Sequence, residues 1–427
     1  MAKIIVIDDE KHIGESIERL LTEQGYDCEF FSEPKTALAY LVAGGDAALI
    51  LLDVWMPEMD GYLVLRKLQE NDIKIPVMVM SGHANISLST QTFKRGAIDF
   101  LEKPFLPDVL LAKIKQILEQ EGQRVNAKQE IHIPSACLEE TTLPQRTIKK
   151  NIVLNGIGLH SGDQTGLILS SLPVGSGIIF EDIATAHTVP ALAGYVGSTD
   201  YATMLECRTF KVNVIEHLMA AFHIYGIDNV RVKVSNEVPI LDGSALPFCE
   251  ALEAAGIEEQ DAMKRVFRVK ERYTWEEKAS VEPKFIRLEP YDGFKIAYQL
   301  DLPKEYGNQY HEVEFDFEDR QVLFKREIAP CRTFGFLDET QHLQATGMAL
   351  GANLGNALLL HDNRVVNSKL RFPNEFARHK IIDILGDFYL LGTGIYGKIT
   401  ARATGHRHNV SLIKKVISQV TVNSLSG

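Results

Sequence analysis

The sequence predicts a multidomain chain in which an α/β unit is followed by further α/β and α+β segments, and three observations carry that expectation. Over the first ~120 residues, short apolar runs at 4–7, 48–52 and 77–80 alternate with helix-period segments at 15–23 and 107–118, as βα units around a parallel sheet do. Beyond residue 145 the text changes to strand, glycine turn, strand (IVLNGIGLHSGDQTGLILSSL), and then to helix followed by alternating strand (VNVIEHLMAAFHIYGIDNVRVKV). A length of 427 residues gives room for about three domains of ordinary size.

Composition narrows the function classes. With 45% hydrophobic and 24% charged residues the balance is that of globular domains, and a net charge of -12 argues against nucleic acid as a partner. The cysteines Cys28, Cys137, Cys207, Cys249 and Cys331 are scattered and form no CxxC pair, so neither a disulfide framework nor a thiolate metal site is expected. The opening MAKIIVIDDE is too short in apolar residues for a signal peptide, and no later run reaches the length of a membrane span. A cytoplasmic protein is expected, with room for transient contact with a membrane surface.

Within the first unit, polar residues stand directly after the apolar runs: Asp8 and Asp9, Asp53, Ser81, and Lys103 before Pro104. In open α/β sheets the site forms outside the carboxyl ends of the strands, so these residues should converge. Several carboxylates in one pocket repel one another, and a hard cation such as Mg²⁺ relieves the repulsion while a lysine neutralises a phosphoryl group. The motifs IDDE, LLDVWMPEMDG, MSGH and FLEKPF, in this order, resemble the response-regulator receiver family over residues 1–120. The resemblance implies a flavodoxin-like (βα)5 fold in which Asp53 accepts phosphate from a histidine kinase or phosphotransfer protein. It further implies that Asp8, Asp9, Asp53 and the carbonyl of Trp55 hold Mg²⁺, that Lys103 contacts the acyl phosphate, and that Ser81 and Phe100 are the switch positions. The competing reading is a receiver-like fold kept for docking or dimerisation. Residues 121–144 are polar and aperiodic and read as a linker, with a short strand at 130–133.

In the remainder, the stretch 374–391 (NEFARHKIIDILGDFYLL) predicts an amphipathic helix capped by Asn374. Its His379 and Asp383 are four apart and share a face, so they can grip one metal ion, although the spacing equally suits a solvated pair. Adjacent Glu216 and His217 open a helix expected to be capped by Asn213 and closed by Gly226; both reach one ion only where the helix end abuts it. His160 lies at a glycine turn, either merely exposed or functional. His406 in GHRHN follows a predicted strand, and NEVPILDGSALPF and CRTFGFLDE read as loops.

Together EH, RTFGF, RHKIIDILGD and GHRHN, with GIGLHSG and EVPILDGS, resemble the UDP-3-O-acyl-N-acetylglucosamine deacetylase family, zinc amidases of early lipid A synthesis, from 146 to about 420. The resemblance implies a zinc deacetylase of two layered α/β halves, 145–262 and 263–427, with the seam at 258–264. It implies zinc ligands His217, His379 and Asp383, Glu216 as general base, His406 as the group that stabilises the oxyanion and protonates the leaving amine, and Thr333 and Lys380 as contacts to oxyanion and substrate. It also implies an inserted β-α-β unit at 336–359 whose Leu337, Leu343, Ala349 and Ala357 line a passage for the acyl chain. VNVIEH departs from the family's small, polar lead into Glu-His, and Thr340 stands where an apolar residue is usual. The expected function is hydrolysis of the N-acetyl group of UDP-3-O-acyl-N-acetylglucosamine under control of Asp53 phosphorylation. The alternatives are a zinc amidohydrolase for another N-acetyl sugar and a phospho-regulated nucleotide-sugar binding module without catalysis.

Overall fold

The computed structural model describes residues 2–71, 73, 75–82, 97–129, 132–207, 210–277, 283–303, 307–316, 319–362 and 364–425. The chain divides into two compact units, Met1–Ala127 and Lys128–Gly427.

The first unit is built on five parallel strands, β1 (Lys3–Ile7), β2 (Asp27–Phe31), β3 (Leu49–Asp53), β4 (Val77–Ser81) and β5 (Asp99–Glu102), in the order β2-β1-β3-β4-β5. Side chains alternate across a strand, so Ile5 and Ile7 enter one apolar layer and Ile4 and Val6 the other. Burial on both faces explains why β1, β3 and β4 read as unbroken apolar runs. Among the described residues, the helices are Lys11–Glu23, Pro34–Val42, Gly61–Glu70 and Pro107–Gln129.

The stretch read as a linker carries secondary structure at both ends. The helix from Pro107 continues through Gln129, and a strand begins at Glu139. The added helical text, EQEGQRVNAKQ, consists mostly of good helix formers, which need no apolar face to extend a helix already started. Of the strand expected at 130–133, residues 130 and 131 lie outside the described set; Ile133 is buried in the core of the second unit.

The second unit contains a five-stranded sheet, in the order Thr188–Pro190, Ile178–Asp182, Val230–Val234, Gln164–Ser171, Ile152–Ile157. A seven-stranded sheet has the path Tyr273–Glu277, Lys284–Glu289, Gly394–Arg402, Ile257–Arg268, Glu139–Ile148, with Phe294–Leu300 and Gln309–Phe315 off it. The expected seam at 258–264 is not a connection: it lies inside the continuous strand Ile257–Arg268, which pairs antiparallel with Glu139–Ile148 and, at its far end, parallel with Gly394–Arg402. The boundary drawn between 262 and 263 therefore falls within one strand. Register shifts between Glu259 and Met263 and between Met263 and Arg265, together with exposed acids, disguise it as a polar turn.

Two helices meet at the centre of this unit. The first, Glu216–Tyr225, is buried along its whole length and ends at Gly226 in the left-handed conformation (φ 66°), as its sequence predicted. Asn213 does not cap it; Asn213 bridges to Glu237, and the chain turns into the helix through Val214 at φ 59°. The second helix is Glu375–Phe388, continued by a 3₁₀ turn Tyr389–Leu391. Asn374 occupies its N-cap position, but its side chain bonds Arg378 Nε and the Tyr310 carbonyl instead of the helix end. The helices cross closely because of Gly386: a Cβ there would stand 2.1 Å from the backbone oxygen of Glu216.

Candidate functional site

That close crossing sets the start of the Glu-His helix against the middle of the His-Asp helix. His217, His379 and Asp383 are all buried, and their potential ligand atoms lie within 4.8 Å of one another. The imidazole planes of His217 and His379 meet edge-on, with ring centroids 4.9 Å apart. The Nδ1 of His379 is 3.0 Å from the Cys331 carbonyl, an arrangement that makes Nδ1 the protonated nitrogen and leaves Nε2 with its lone pair, 3.5 Å from Asp383 Oδ1. Burial lowers the pKa of both imidazoles, that of His217 to about 3, so each is held neutral, the form a cation requires. Burial opposes the ionisation of Asp383, but the Lys380 ammonium, 2.8 Å away, acts together with His379, His406 and His217 to hold the carboxyl well below its ordinary range. Two neutral imidazoles and one carboxylate at this spacing fit a tetrahedral cation with one position left open.

Around this triad stand Glu216 and His406. Burial pushes Glu216 up to about 7, and one of its oxygens accepts from the backbone N–H of Thr203 at 3.2 Å. His406 Nε2 lies 3.8 Å from Glu216 Oε1, while its Nδ1 is 2.9 Å from Asp387 Oδ2. Burial disfavours a protonated His406, yet the nearby Asp387 and Asp383 carboxylates raise it to about 10. Asp387 is itself held by the Thr203 hydroxyl at 2.6 Å and by Asn409 Nδ2 at 2.8 Å. The sequence reading missed Asp387, Thr203 and Asn409. A signal for Asp387 was present, since His379, Asp383 and Asp387 continue one helical face at intervals of four.

The residues face a cleft of about 330 Å³ whose lining includes Glu216, His217, Thr333, His379, Lys380, Asp383 and His406. All seven expected deacetylase positions thus come together. An apolar wall is supplied by Leu159, Tyr201, Val214, Ile240 and Phe334. The expected insert is a β-α-β unit, with parallel strands Phe334–Phe336 and Leu358–His361 joined through the helix Leu337–Ala345. Leu337, Leu343, Ala349 and Ala357 are not among the lining residues of this cleft; Ala349 and Ala357 are buried, and the other two are half-buried. The Thr340 hydroxyl bonds the Phe336 carbonyl. His160 does not line the cleft either: its N–H donates to Glu237, and both ring nitrogens are buried without a partner.

In the first unit the polar residues after the strands also converge. Lys103 Nζ lies 2.6 Å from Asp8 and 2.5 Å from Asp53, and Asp53 Oδ2 accepts from the Trp55 N–H at 2.7 Å. Asp8, Asp53 and Ser81 are buried. Burial raises the pKa of Asp53 against the opposing pull of Lys103. A pocket lined by Asp53, Trp55, Lys103 and Glu10 opens over these groups; Asp9 and Phe100 are half-buried beside the strands that carry them. Among the described residues, Asp8, Asp9 and Asp53 are not drawn into a donor set as tight as that of the histidines, because Lys103 bridges two of them. Hard oxygen donors of this kind suit Mg²⁺.

Comparison with known proteins finds a matching family for each part of the chain. The response regulator receiver domain family matches residues 4–131, and the UDP-3-O-acyl N-acetylglycosamine deacetylase family matches residues 145–418. Two strains of Coxiella burnetii supply UDP-3-O-acyl-N-acetylglucosamine deacetylases that are 37% and 36% identical over 281 residues, covering 65% of this chain and 91% of each relative. Among solved structures, a Francisella response regulator receiver domain is 28% identical, covering 28% of this chain and 99% of its own at a TM-score of 0.27. A CheY-like receiver from Methanospirillum hungatei is 27% identical, covering 29% and 98% at a TM-score of 0.28. Among the described residues no helix is long and apolar enough to cross a membrane. With a receiver domain at its front and a family match over most of its remaining length, the chain belongs to the UDP-3-O-acyl N-acetylglycosamine deacetylase family.

Proposed function

We propose that the protein is a cytoplasmic zinc-dependent deacetylase that removes the acetyl group from UDP-3-O-acyl-N-acetylglucosamine, an early step of lipid A synthesis. The observation that carries this reading is the buried His217–His379–Asp383 set faced by a carboxyl that burial raises to about 7 and an imidazole that neighbouring carboxylates raise to about 10. A zinc ion held by those three residues would supply a Lewis acid for the acetamide carbonyl and bring water within reach of deprotonation near neutral pH. The chain's own groups do the rest. Glu216 takes a proton from the attacking water as its oxygen bonds to the acetyl carbon. His406, kept protonated by Asp387, delivers a proton to the sugar nitrogen as the C–N bond breaks, so that acetate and a free amine result. Lys380 and Thr333 sit at the cleft wall, where charge develops on the carbonyl oxygen. The apolar wall excludes water and borders the acyl chain of the substrate.

Phosphorylation of Asp53 by a histidine kinase or phosphotransfer protein, with Mg²⁺ held by Asp8, Asp9, Asp53 and the Trp55 carbonyl, is proposed to control this output. An acyl phosphate at Asp53 breaks the present Asp53–Lys103–Asp8 arrangement, and Ser81 and Phe100 follow the new charge. The test is zinc content and deacetylation rate on one preparation of the full chain. Near-stoichiometric zinc and turnover are expected, and Glu216→Ala should keep the zinc while losing roughly 10²–10⁴ in kcat. A wild-type protein that binds the nucleotide sugar without hydrolysing it would establish the binding-module alternative.

A further inference from the structure

An ion pair outside the cleft, between the half-buried Arg332 and the buried Glu375, ties its two sides together. Arg332 lies between Cys331, whose carbonyl fixes the His379 ring, and Thr333, which lines the cleft. Glu375 opens the His-Asp helix exactly one turn ahead of His379 and is fully buried. Its Oε1 accepts from the backbone N–H of Arg332 at 3.1 Å and from Arg332 Nε at 2.9 Å; its Oε2 accepts from Arg332 Nη2 at 3.2 Å and from the Arg371 N–H. The remaining donors of the guanidinium reach the Ser368 hydroxyl at 2.7 Å and the Lys369 carbonyl at 2.8 Å. Thr333, next to Arg332, is anchored on its other side: its N–H donates to the Gly243 carbonyl, and its carbonyl accepts from Leu358 N–H, both at 2.8 Å.

We propose that the Arg332–Glu375 pair is a positioning clamp, which holds the Cys331 carbonyl and Thr333 in register with the helix that carries His379, Lys380 and Asp383. The catalytic part of this inference rests on the zinc-deacetylase reading; its structural part does not. Replacing a buried ion pair by apolar groups is often neutral or stabilising, so bulk stability alone gives little reason for this one. Its geometry gives another. Only a planar fork can engage both carboxylate oxygens and still reach Ser368 and Lys369, which a lysine's single ammonium cannot do. The pair lies one residue from the group that selects the His379 tautomer, and outer partners of this kind orient a metal-binding imidazole. Arg332 is not among the cleft-lining residues, so it acts through its neighbours.

The experiment compares wild type with Arg332→Lys and Arg332→Ala in the full chain, with thermal melting as a control for folding. Arg332→Lys keeps charge and bulk and is expected to fold. In metal-free protein, ¹⁵N-histidine spectra should show one Nδ1-protonated tautomer of His379 in the wild type and tautomer averaging in Arg332→Lys. By chelator competition, zinc affinity should weaken by about tenfold to a hundredfold. In the loaded enzyme kcat should fall by a similar factor while KM stays within about threefold, the signature of lost transition-state alignment without lost substrate binding. Methylguanidinium should restore part of kcat to Arg332→Ala. A fixed His379 tautomer in Arg332→Lys, with wild-type zinc affinity, overturns the clamp. If the tautomer averages and zinc affinity falls while even the wild type fails to deacetylate, the clamp stands and the deacetylase reading fails.

Discussion

Asp387 decides what His406 can do. Burial alone would strip the imidazole of its second proton; the carboxylate of Asp387, 2.9 Å from Nδ1, together with Asp383 and Glu216 reverses that outcome, and its contact with Nδ1 leaves Nε2 facing Glu216. Asp387→Asn keeps the shape and removes the charge that does most to hold His406 protonated, so the imidazole's pKa should fall. Zinc content is expected to remain that of the wild type while kcat falls by about 10–100-fold; unchanged turnover would show that the proton for the leaving amine comes from elsewhere. The reach of sequence reasoning at this scale follows from which residues speak through spacing. His379 and Asp383 were visible because helical periodicity places residues four apart on one face. Thr203 and Asn409 were invisible, since a hydroxyl 184 positions from its partner Asp387 leaves no local trace.

Among the elements, the Glu-His helix is buried on every side, and it pays for that in titratable groups. His223, on its last turn, stacks on Tyr389 with ring centroids 4.5 Å apart and places Nδ1 2.9 Å from the Leu385 carbonyl. Burial lowers its pKa to about 3 from an ordinary 6.5. An unfolded chain therefore binds a proton between those pH values that the folded chain cannot. The stability contributed by neutral His223 is complete above pH 6.5 and is lost as the pH falls toward 3, by about 1.4 kcal/mol per pH unit. His223→Gln, which keeps a donor for Leu385, should flatten the pH dependence of urea unfolding below pH 6.5 by about that slope; an unaltered slope would mean that His223 is protonated in the folded state. Element boundaries were legible where an end has its own chemistry, as at Gly226. They were not legible at Asn213 or at 258–264, where tertiary partners, a bridge to Glu237 in one case and pairing with Glu139–Ile148 in the other, override local preference.

At the scale of the whole molecule, a receiver domain and a deacetylase-family domain occupy one chain. Steady-state deacetylation with and without a small-molecule phosphodonor, with Asp53→Ala as control, is expected to show higher activity in the phosphorylated form; identical kcat and KM under both conditions would leave the receiver a role in localisation or docking. Both folds were legible because each carries several short motifs in a fixed order, whereas the sharing of strands between the halves depends on pairings more than a hundred residues apart. That sharing bears on how the protein is made. Gly394–Arg402 pairs with Ile257–Arg268, Lys284–Glu289 and Phe294–Leu300, and so the strand that unites this seven-stranded sheet leaves the ribosome after all three of its partners. At roughly 5–20 residues per second, the edge that Val266–Arg268 presents to it waits many seconds, exposed to pairing with other chains. A chain truncated after residue 390 should accordingly aggregate, while the receiver, whose strands close within the first 102 residues, should already be folded and soluble. During each round of synthesis, then, the receiver precedes the deacetylase-family domain, and under the regulation proposed above a nascent chain can meet a kinase before it has anything to regulate.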